Sequence, residues 1–275
     1  MKKLISLLLV LSLAMVAAAG CGSDNNTTAD NDALTPVVVG ATPTPHAEVL
    51  KAVKPLMAEA GYDLQIQEFT DYVLPNTTLE NGDIDANYFQ HITYMNDFNA
   101  ENGTHLVSIA EIHYEPMGIY AGKTASLADL ADGASVGVPA DTTNEARALL
   151  LLQEAGLITV DPEAGLTATI YDITDNPKNL DIHEIEAAQL PRSLPDLDIA
   201  VINANYALQA ELSITDALQA ETSDSTAAQA YANVLTVKEG NEEDPGLLAL
   251  AEALKSETAR EFILNTYNNS VQPLF

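Results

Sequence analysis

Arg147 and Asn144 are the residues whose types and spacing best suit them to bind a small anion. They lie three residues apart at the start of a predicted helix, 144–154, so both project from one face. An arginine can fork onto a carboxylate through two parallel hydrogen bonds, a geometry that lysine cannot reproduce, and a helix N-terminus also favours an anion. The alternative role for Arg147 is an ion pair with one of the many acidic side chains.

Asn203 is the second candidate because it follows a predicted buried strand, 199–202. A side chain that emerges at the carboxyl end of such a strand faces the ligand cleft of an open α/β sheet. Its amide offers an acceptor to an ammonium group and a donor to a carboxylate. Asn205 and Tyr206 are nearby candidates of lower weight, and capping of a turn is the alternative role for either asparagine.

Composition excludes several classes of function. The chain has 40 acidic and 11 basic residues, and such a surface repels nucleic acid and anionic lipid. No Gly-x-Ser-x-Gly elbow, P-loop or dinucleotide fingerprint occurs, so we predict neither an enzyme nor a cofactor, although a hydrolase with a carboxylate pair stays open. His91 and His113 lack the HxH and HExxH spacings of zinc sites, so we predict no metal.

The first residues give the destination of the chain. A short basic start (Met1-Lys2-Lys3), an uncharged apolar stretch (4–19) and small residues before Cys21 predict a secretory signal peptide over 1–20. The apolar stretch is too short for a membrane-spanning helix. Cys21 is the only cysteine, and its setting resembles a bacterial lipobox, although Ala18 replaces the usual large aliphatic residue. This implies a diacylated Cys21, a polar tether over 21–35 and a protein anchored to the extracytoplasmic side of the cell membrane.

Strand and helix patterns alternate along the rest of the chain. The predicted strands are 36–41, 64–69, 84–89, 106–110, 117–120, 135–139, 199–202 and 232–237. The predicted helices are 47–60, 72–81, 92–101, 127–130, 144–154, 245–255 and 257–267.

This order favours parallel sheets with crossover helices. Two successive α/β series and a returning strand predict an α/β, bilobal binding-protein layout, in which two crossover strands join the lobes. We place lobe 1 at 36–117 plus 232–275 and lobe 2 at 118–231, with crossings near 115–120 and 231–237.

A series of short sequence segments carries a more specific resemblance. The segments are Val39-Gly40-Ala41-Thr42-Pro43-Thr44-Pro45-His46-Ala47-Glu48, 68–76, 83–91, Glu115-Pro116-Met117-Gly118-Ile119-Tyr120, 143–152, 175–180, 186–194 and 200–203. In this order and over nearly the whole chain after the tether, they closely resemble the NlpA lipoprotein family. One departure is Asp141-Thr142-Thr143-Asn144, where the family usually has a proline after the aspartate. The loss of its fixed φ predicts a looser turn.

The resemblance implies an α/β, bilobal periplasmic-binding-protein fold, L-methionine or a close analogue as ligand, and docking to a membrane permease with a cytoplasmic ATPase. It also implies that Arg147, Asn144 and Asn203 bind the ligand. A thioether packs well against aromatic edges. The resemblance implies that four side chains pack against the thioether: Tyr72, Phe89, His91 and His113. Phe69 and Tyr88 are further candidates for this role. A methionine-containing dipeptide, another amino acid, or a surface adhesin without a closing cleft are the alternatives.

Overall fold

The computed structural model describes residues 33–222 and 230–275. The predicted signal peptide, Cys21 and the tether up to residue 32 lie outside the described residues. Within them, no helix combines the length and apolar character needed to cross a membrane.

Thirteen strands occur in the described ranges. They are β1 (Thr35–Ala41), β2 (Tyr62–Glu68), β3 (Ala86–His91), β4 (Leu106–Tyr114), β5 (Gly118–Ala121), β6 (Ser135–Pro139), β7 (Thr159–Val160), β8 (Ile173–Asp175), β9 (Asp181–Ile185), β10 (Ile199–Ile202), β11 (Gln219–Ala220), β12 (Ala232–Lys238) and β13 (Gln272–Pro273). The helices are α1 (Glu48–Glu59), α2 (Leu74–Asn81), α3 (Ile92–Asn102), α4 (Thr142–Glu154), α5 (Leu190–Ser193), α6 (Ala204–Gln209) and two C-terminal helices, Pro245–Leu254 and Glu257–Thr266.

The strands form two large sheets, one in each lobe of a two-lobed binding-protein fold. The first has six strands in the order β13-β4-β12-β3-β1-β2, and the second has five in the order β11-β5-β10-β6-β9. The pairings of β1 with β2 and β3, and of β6 with β9 and β10, are parallel. β12 runs antiparallel to β3 and β4, and β5 runs antiparallel to β10 and β11.

The prediction of parallel sheets with crossover helices therefore holds for β1 with β2 and β3 and for β6 with β9 and β10. The antiparallel pairs come from the double crossing, because the strands that leave or return at a crossing run against their neighbours. β12 lies inside the six-stranded sheet, with Val234, Leu235 and Val237 fully buried.

The chain passes between the two sheets twice. It crosses first over 115–117, between β4 and β5, and returns before Ala232. We call 115–117 the first crossing and 221–231 the second crossing; of the latter, only the ends are described.

The three larger apolar clusters among the described residues hold the fold together. One packs under the six-stranded sheet around α1 and the C-terminal helices, and another packs under the five-stranded sheet around α4. The third takes residues from both lobes, among them Phe89 and Tyr94 on one side and Ile202 and Tyr206 on the other. This cluster therefore buries apolar surface of both lobes together.

Candidate functional site

A cleft between the two sheets has about 350 Å³ of space between atoms, a volume that includes open solvent at its mouth. The carboxyl ends of β3, β4 and β10 and the N-termini of α4 and α6 meet there. The lining residues are Tyr72, Phe89, Gln90, His91, Tyr94, Glu115, Asn144, Arg147, Asn203, Ala204, Asn205 and Asn233.

Helix α4 brings Arg147 and Asn144 into this cleft. Asp141 caps the helix by accepting hydrogen bonds from the Asn144 backbone N–H (3.1 Å) and from Asn144 Nδ2 (2.8 Å). The cap fixes the start of the helix through the side chain of Asp141, and the looser turn expected from the missing proline stays a prediction. Burial raises the pKa of Asp141, against the lowering effect of these hydrogen bonds.

Arg147 is only 4% exposed, and its fork binds a protein carboxylate. Nε donates to Glu221 Oε1 (2.8 Å) and Nη2 donates to Glu221 Oε2 (2.6 Å) and to the backbone oxygen of Glu115 (2.7 Å). Burial lowers the pKa of Arg147, but the charge of Glu221 outweighs it, so the pKa lies above its usual value. Conversely, burial raises the pKa of Glu221 and Arg147 outweighs that effect, so it lies below its usual value. The ion pair named as the alternative role is therefore present.

A chain of amides runs from Asn144 to the start of α6. Asn144 Oδ1 accepts from Asn203 Nδ2 (2.7 Å) and contacts His91 Nε2 (3.1 Å). Asn203 is the N-cap residue of α6, yet its side chain makes no cap hydrogen bond. Within residues 33–222 and 230–275, the buried atoms Asn203 Oδ1 and Asn205 Nδ2 have no hydrogen-bond partner. Because unpaired buried polar groups cost free energy, an acceptor and a donor in one cleft indicate that a ligand completes the site.

An aromatic wall closes another side of the cleft. The Tyr72 ring lies 5.9 Å from Phe89, 5.7 Å from Tyr94 and 4.9 Å from Tyr206, measured between centroids. The Tyr72 hydroxyl donates to Asn205 Oδ1 (2.6 Å), which joins the two lobes. Burial, followed by the nearby charge of Arg147, lowers the pKa of His91 to about 3, so this imidazole is neutral at pH 7. The wall therefore suits an uncharged, flexible ligand side chain.

Glu115 lines the cleft with two histidines behind it. Glu115 Oε1 accepts from His113 Nε2 (2.7 Å) and lies 3.3 Å from His46 Nε2. Burial lowers the pKa of His46 to about 4 and that of His113 to about 3, so both are neutral at pH 7. Burial also raises the pKa of Glu115, against the lowering effects of His46 and Arg147.

These three residues are the group that could hold a metal ion, since their ligand atoms lie within 4.8 Å of one another. Every ring nitrogen of the two histidines already has a hydrogen-bonding neighbour. His46 contacts Thr42 Oγ1 (2.7 Å) and Asn233 Oδ1 (3.0 Å), and His113 contacts the Tyr88 hydroxyl and Glu115. The hydrogen bonds are therefore sufficient to explain the cluster as a support that orients Glu115.

The structure brings together six of the seven residues chosen from the sequence: Tyr72, Phe89, His91, Asn144, Arg147 and Asn203. The seventh, His113, is fully buried behind Glu115 and is absent from the lining. Sequence reasoning missed Gln90, Tyr94, Glu115 and Asn233, as well as Glu221 behind Arg147. Of these, Glu115 carried a usable signal: it directly follows β4, where chain ends of a sheet face the cleft.

Comparisons with known proteins agree with this geometry. The chain is 39% identical over 279 residues to the methionine-binding lipoprotein MetQ of Bacillus subtilis, covering 100% of this chain and 99% of that one. Its fold matches a nutrient binding protein from Burkholderia cenocepacia bound to methionine, with a TM-score of 0.83, 41% identity, and 87% and 100% coverage. It also matches the substrate binding protein of a methionine transporter from Streptococcus pneumoniae, with a TM-score of 0.82, 31% identity, and 87% and 96% coverage.

The family model described as NlpA lipoprotein matches residues 37–275, which include every residue that lines the cleft. The chain therefore belongs to the NlpA lipoprotein family.

Proposed function

We propose that this chain is the extracytoplasmic substrate-binding protein of an ABC importer and that it binds methionine between its lobes. The observation that carries the proposal is the pair of unpartnered atoms, Asn203 Oδ1 and Asn205 Nδ2, in a cleft that Arg147 also lines. A free amino acid presents an ammonium donor and a carboxylate acceptor on one carbon, and this pair complements both groups. The names of its relatives point to the same ligand.

The polar end of the ligand has a defined set of partners in this proposal. The carboxylate binds Asn205 Nδ2 and the Arg147 guanidinium, through Nη1, because Nε and Nη2 already bind described residues. Asn144 supports this end by holding Asn203. The ammonium binds Asn203 Oδ1 and the carboxylate of Glu115, a charge-assisted contact.

The side-chain end lies against Tyr72, Phe89, His91 and Tyr94. Four aromatic rings, one of them a neutral imidazole, form a polarisable wall that suits a thioether better than a charged group. His113 does not contact the ligand and acts indirectly, because its hydrogen bond holds Glu115 in position.

The remaining parts of the proposal concern the whole protein. The signal peptide is removed at Cys21, which carries the lipid anchor, and 21–35 is the tether. Lobe 1 is 36–117 plus 232–275, and lobe 2 is 118–231. The partners are a permease and its ATPase, which receive methionine when the lobes open. The protein has no catalytic role and needs no cofactor.

Calorimetry tests the ligand. The chain from Ala33 onward is unfolded and refolded to remove carried-over ligand, and then titrated with L-methionine, D-methionine and a methionine-containing dipeptide. Methionine binding that Asn203→Ala and Arg147→Ala both weaken at least tenfold supports the proposal. A response to the dipeptide alone changes the substrate, and no response to any of them refutes the binding function.

A further inference from the structure

Glu221 is the centre of a buried cluster that no ligand role explains. Its carboxylate accepts four hydrogen bonds: two from Arg147, one from the Tyr114 hydroxyl (2.7 Å) and one from the backbone N–H of Met117 (2.9 Å). Its side chain is only 7% exposed. A carboxylate with this many donors has a fixed position, because any movement breaks several hydrogen bonds at once.

The partners of Glu221 belong to both crossings. Glu221 itself is the first residue of the second crossing, directly after β11. Met117 ends the first crossing, and Tyr114 directly precedes it at the end of β4. The side chain of Glu221 therefore joins one connection between the lobes to the other.

Arg147 completes this link from lobe 2. Its Nη2 donates to the backbone oxygen of Glu115 in the first crossing. Its guanidinium carbon lies 4.3 Å from the ring centroid of Tyr231, the last residue of the second crossing, and 5.8 Å from that of Tyr114. Both distances are within the range of cation–π attraction. One arginine thus contacts both crossings and the cleft.

We propose that Glu221 is the positioning residue of the cleft: it holds Arg147 side-on against both crossings, so that Nη1 alone faces the ligand carboxylate. Binding at Nη1 is then transmitted directly to the two connections about which the lobes close. This inference rests on the proposed function for its ligand, but not for its geometry. The two hydrogen bonds from Arg147 to Glu221 are then present with or without ligand. The contact between Nη1 and the ligand carboxylate is made in addition to them.

The opposite role for Glu221 makes the proposal testable. A carboxylate on the binding arginine can also act as a stand-in for the ligand, which the ligand displaces. A stand-in competes with methionine, so its removal strengthens binding. A positioning residue pre-organises the arginine, so its removal weakens binding. The two roles predict changes of opposite sign.

The first experiment compares methionine affinity by calorimetry in the mature chain carrying Cys21→Ser, with and without Glu221→Gln. Glu163→Gln, an exposed glutamate of the same lobe, is the matched control. We expect Glu221→Gln to weaken binding at least tenfold, Glu221→Asp to weaken it less, and the control to leave it unchanged. Tighter or unchanged binding in a folded Glu221→Gln protein overturns the inference, while binding by the parent chain still supports the proposed function.

A second measurement needs no ligand and separates the two proposals. The whole chain has three arginines, so its ¹⁵N spectrum contains few arginine Nε–H signals, and Arg147→Lys identifies the signal of Arg147. In the parent chain after removal of carried-over ligand, we expect the Nε–H signal of Arg147 to be sharp and protected from solvent exchange, because Nε donates to Glu221. Glu221→Ala, which removes the acceptor of the Nε–H group, should remove the protection and the control should keep it. Protection that survives Glu221→Ala refutes the positioning role, whatever the calorimetry shows.

Discussion

Replacing Asn203 by alanine should separate the stability of this protein from its function. In the structure, Asn203 Oδ1 is buried without a hydrogen-bond partner among residues 33–222 and 230–275. Such an unsatisfied group costs about 1–3 kcal/mol. Among the described residues, the side-chain hydrogen bond that the change removes goes to Asn144 Oδ1, and it is worth about 0.5–1.5 kcal/mol. Asn144 Oδ1 keeps His91 as its neighbour, so it is not left unpaired.

The two contributions have opposite signs, and their sum gives the expected result. Asn203→Ala should change the free energy of unfolding, measured without methionine, by between about −0.5 and about +2.5 kcal/mol. Methionine affinity should fall, because the ammonium loses a charge-assisted acceptor worth about 1.5–3 kcal/mol, which is roughly a ten- to hundredfold change.

Thermal unfolding with and without methionine reads out both effects. At a methionine concentration of about 100 times the Kd, a ligand stabilises the native state by about 2.7 kcal/mol. A hundredfold weaker ligand at that concentration contributes only about 0.4 kcal/mol. For a chain of this size, about 1 kcal/mol shifts Tm by roughly 2–4 °C, so the ligand-induced shift should shrink from about 5–10 °C to about 1–2 °C.

A structural asparagine provides the matched control. Asn99 accepts from the backbone N–H of Leu106 (3.1 Å) and donates to its oxygen (2.8 Å), far from the cleft. Asn99→Ala should lower Tm and leave the methionine-induced shift intact. If Asn203→Ala instead behaves like Asn99→Ala, with lower stability and full affinity, then Asn203 is a structural cap and the reasoning from its unpaired oxygen is wrong.

Three further predictions concern other parts of the molecule. Tyr72→Phe should weaken methionine binding about three- to tenfold, since it removes the hydrogen bond to Asn205 that joins the lobes; calorimetry at matched Tm checks this. The pKa of His91 is about 3 in the folded state and about 6.5 unfolded, so the stability that neutral His91 supplies is present above pH 6.5 and lost as the pH falls towards 3. Urea unfolding from pH 7 to pH 4 should therefore show His91→Gln gaining stability relative to the parent chain, whereas parallel curves would contradict the burial argument. Cys21→Ser should release the protein from membranes in cell fractionation, and continued membrane retention would exclude a lipid on Cys21 as the sole anchor.

The sequence was sufficient to predict the elements that position the main site residues. The apolar run of β10 and the periodic helix α4 have strong local patterns, and the residues at their ends, Asn203 and Arg147, do reach the cleft. The direction of β12 was harder to predict, because a buried central strand has the same apolar pattern whether it runs parallel or antiparallel to its neighbours.

The partner of Arg147 could not have been predicted from the pattern. Glu221 is 74 residues away in the chain and is one of 40 acidic residues, and its local sequence carries no pattern that marks it as the partner of Arg147. His113 shows the same limit at short range. It and Glu115 lie two residues apart, so they share a face, but only the fold decides which of the two lines the cleft and which supports it from behind.

The charge of the protein and the chemistry of the cleft together narrow the ligand class. A net charge of −29 repels anions at long range, so a ligand with a net negative charge would approach slowly. Inside the cleft, the charge of Arg147 is already balanced by Glu221, and Glu115 adds a carboxylate. An acidic amino acid would thus meet no uncompensated positive charge. A zwitterion with an uncharged side chain has no net charge to be repelled, and it needs only the local donors and acceptors that Arg147, Asn205 and Asn203 provide. The acidity of the surface and the pairing of Arg147 therefore favour the same ligands: neutral amino acids, among which the aromatic wall favours methionine.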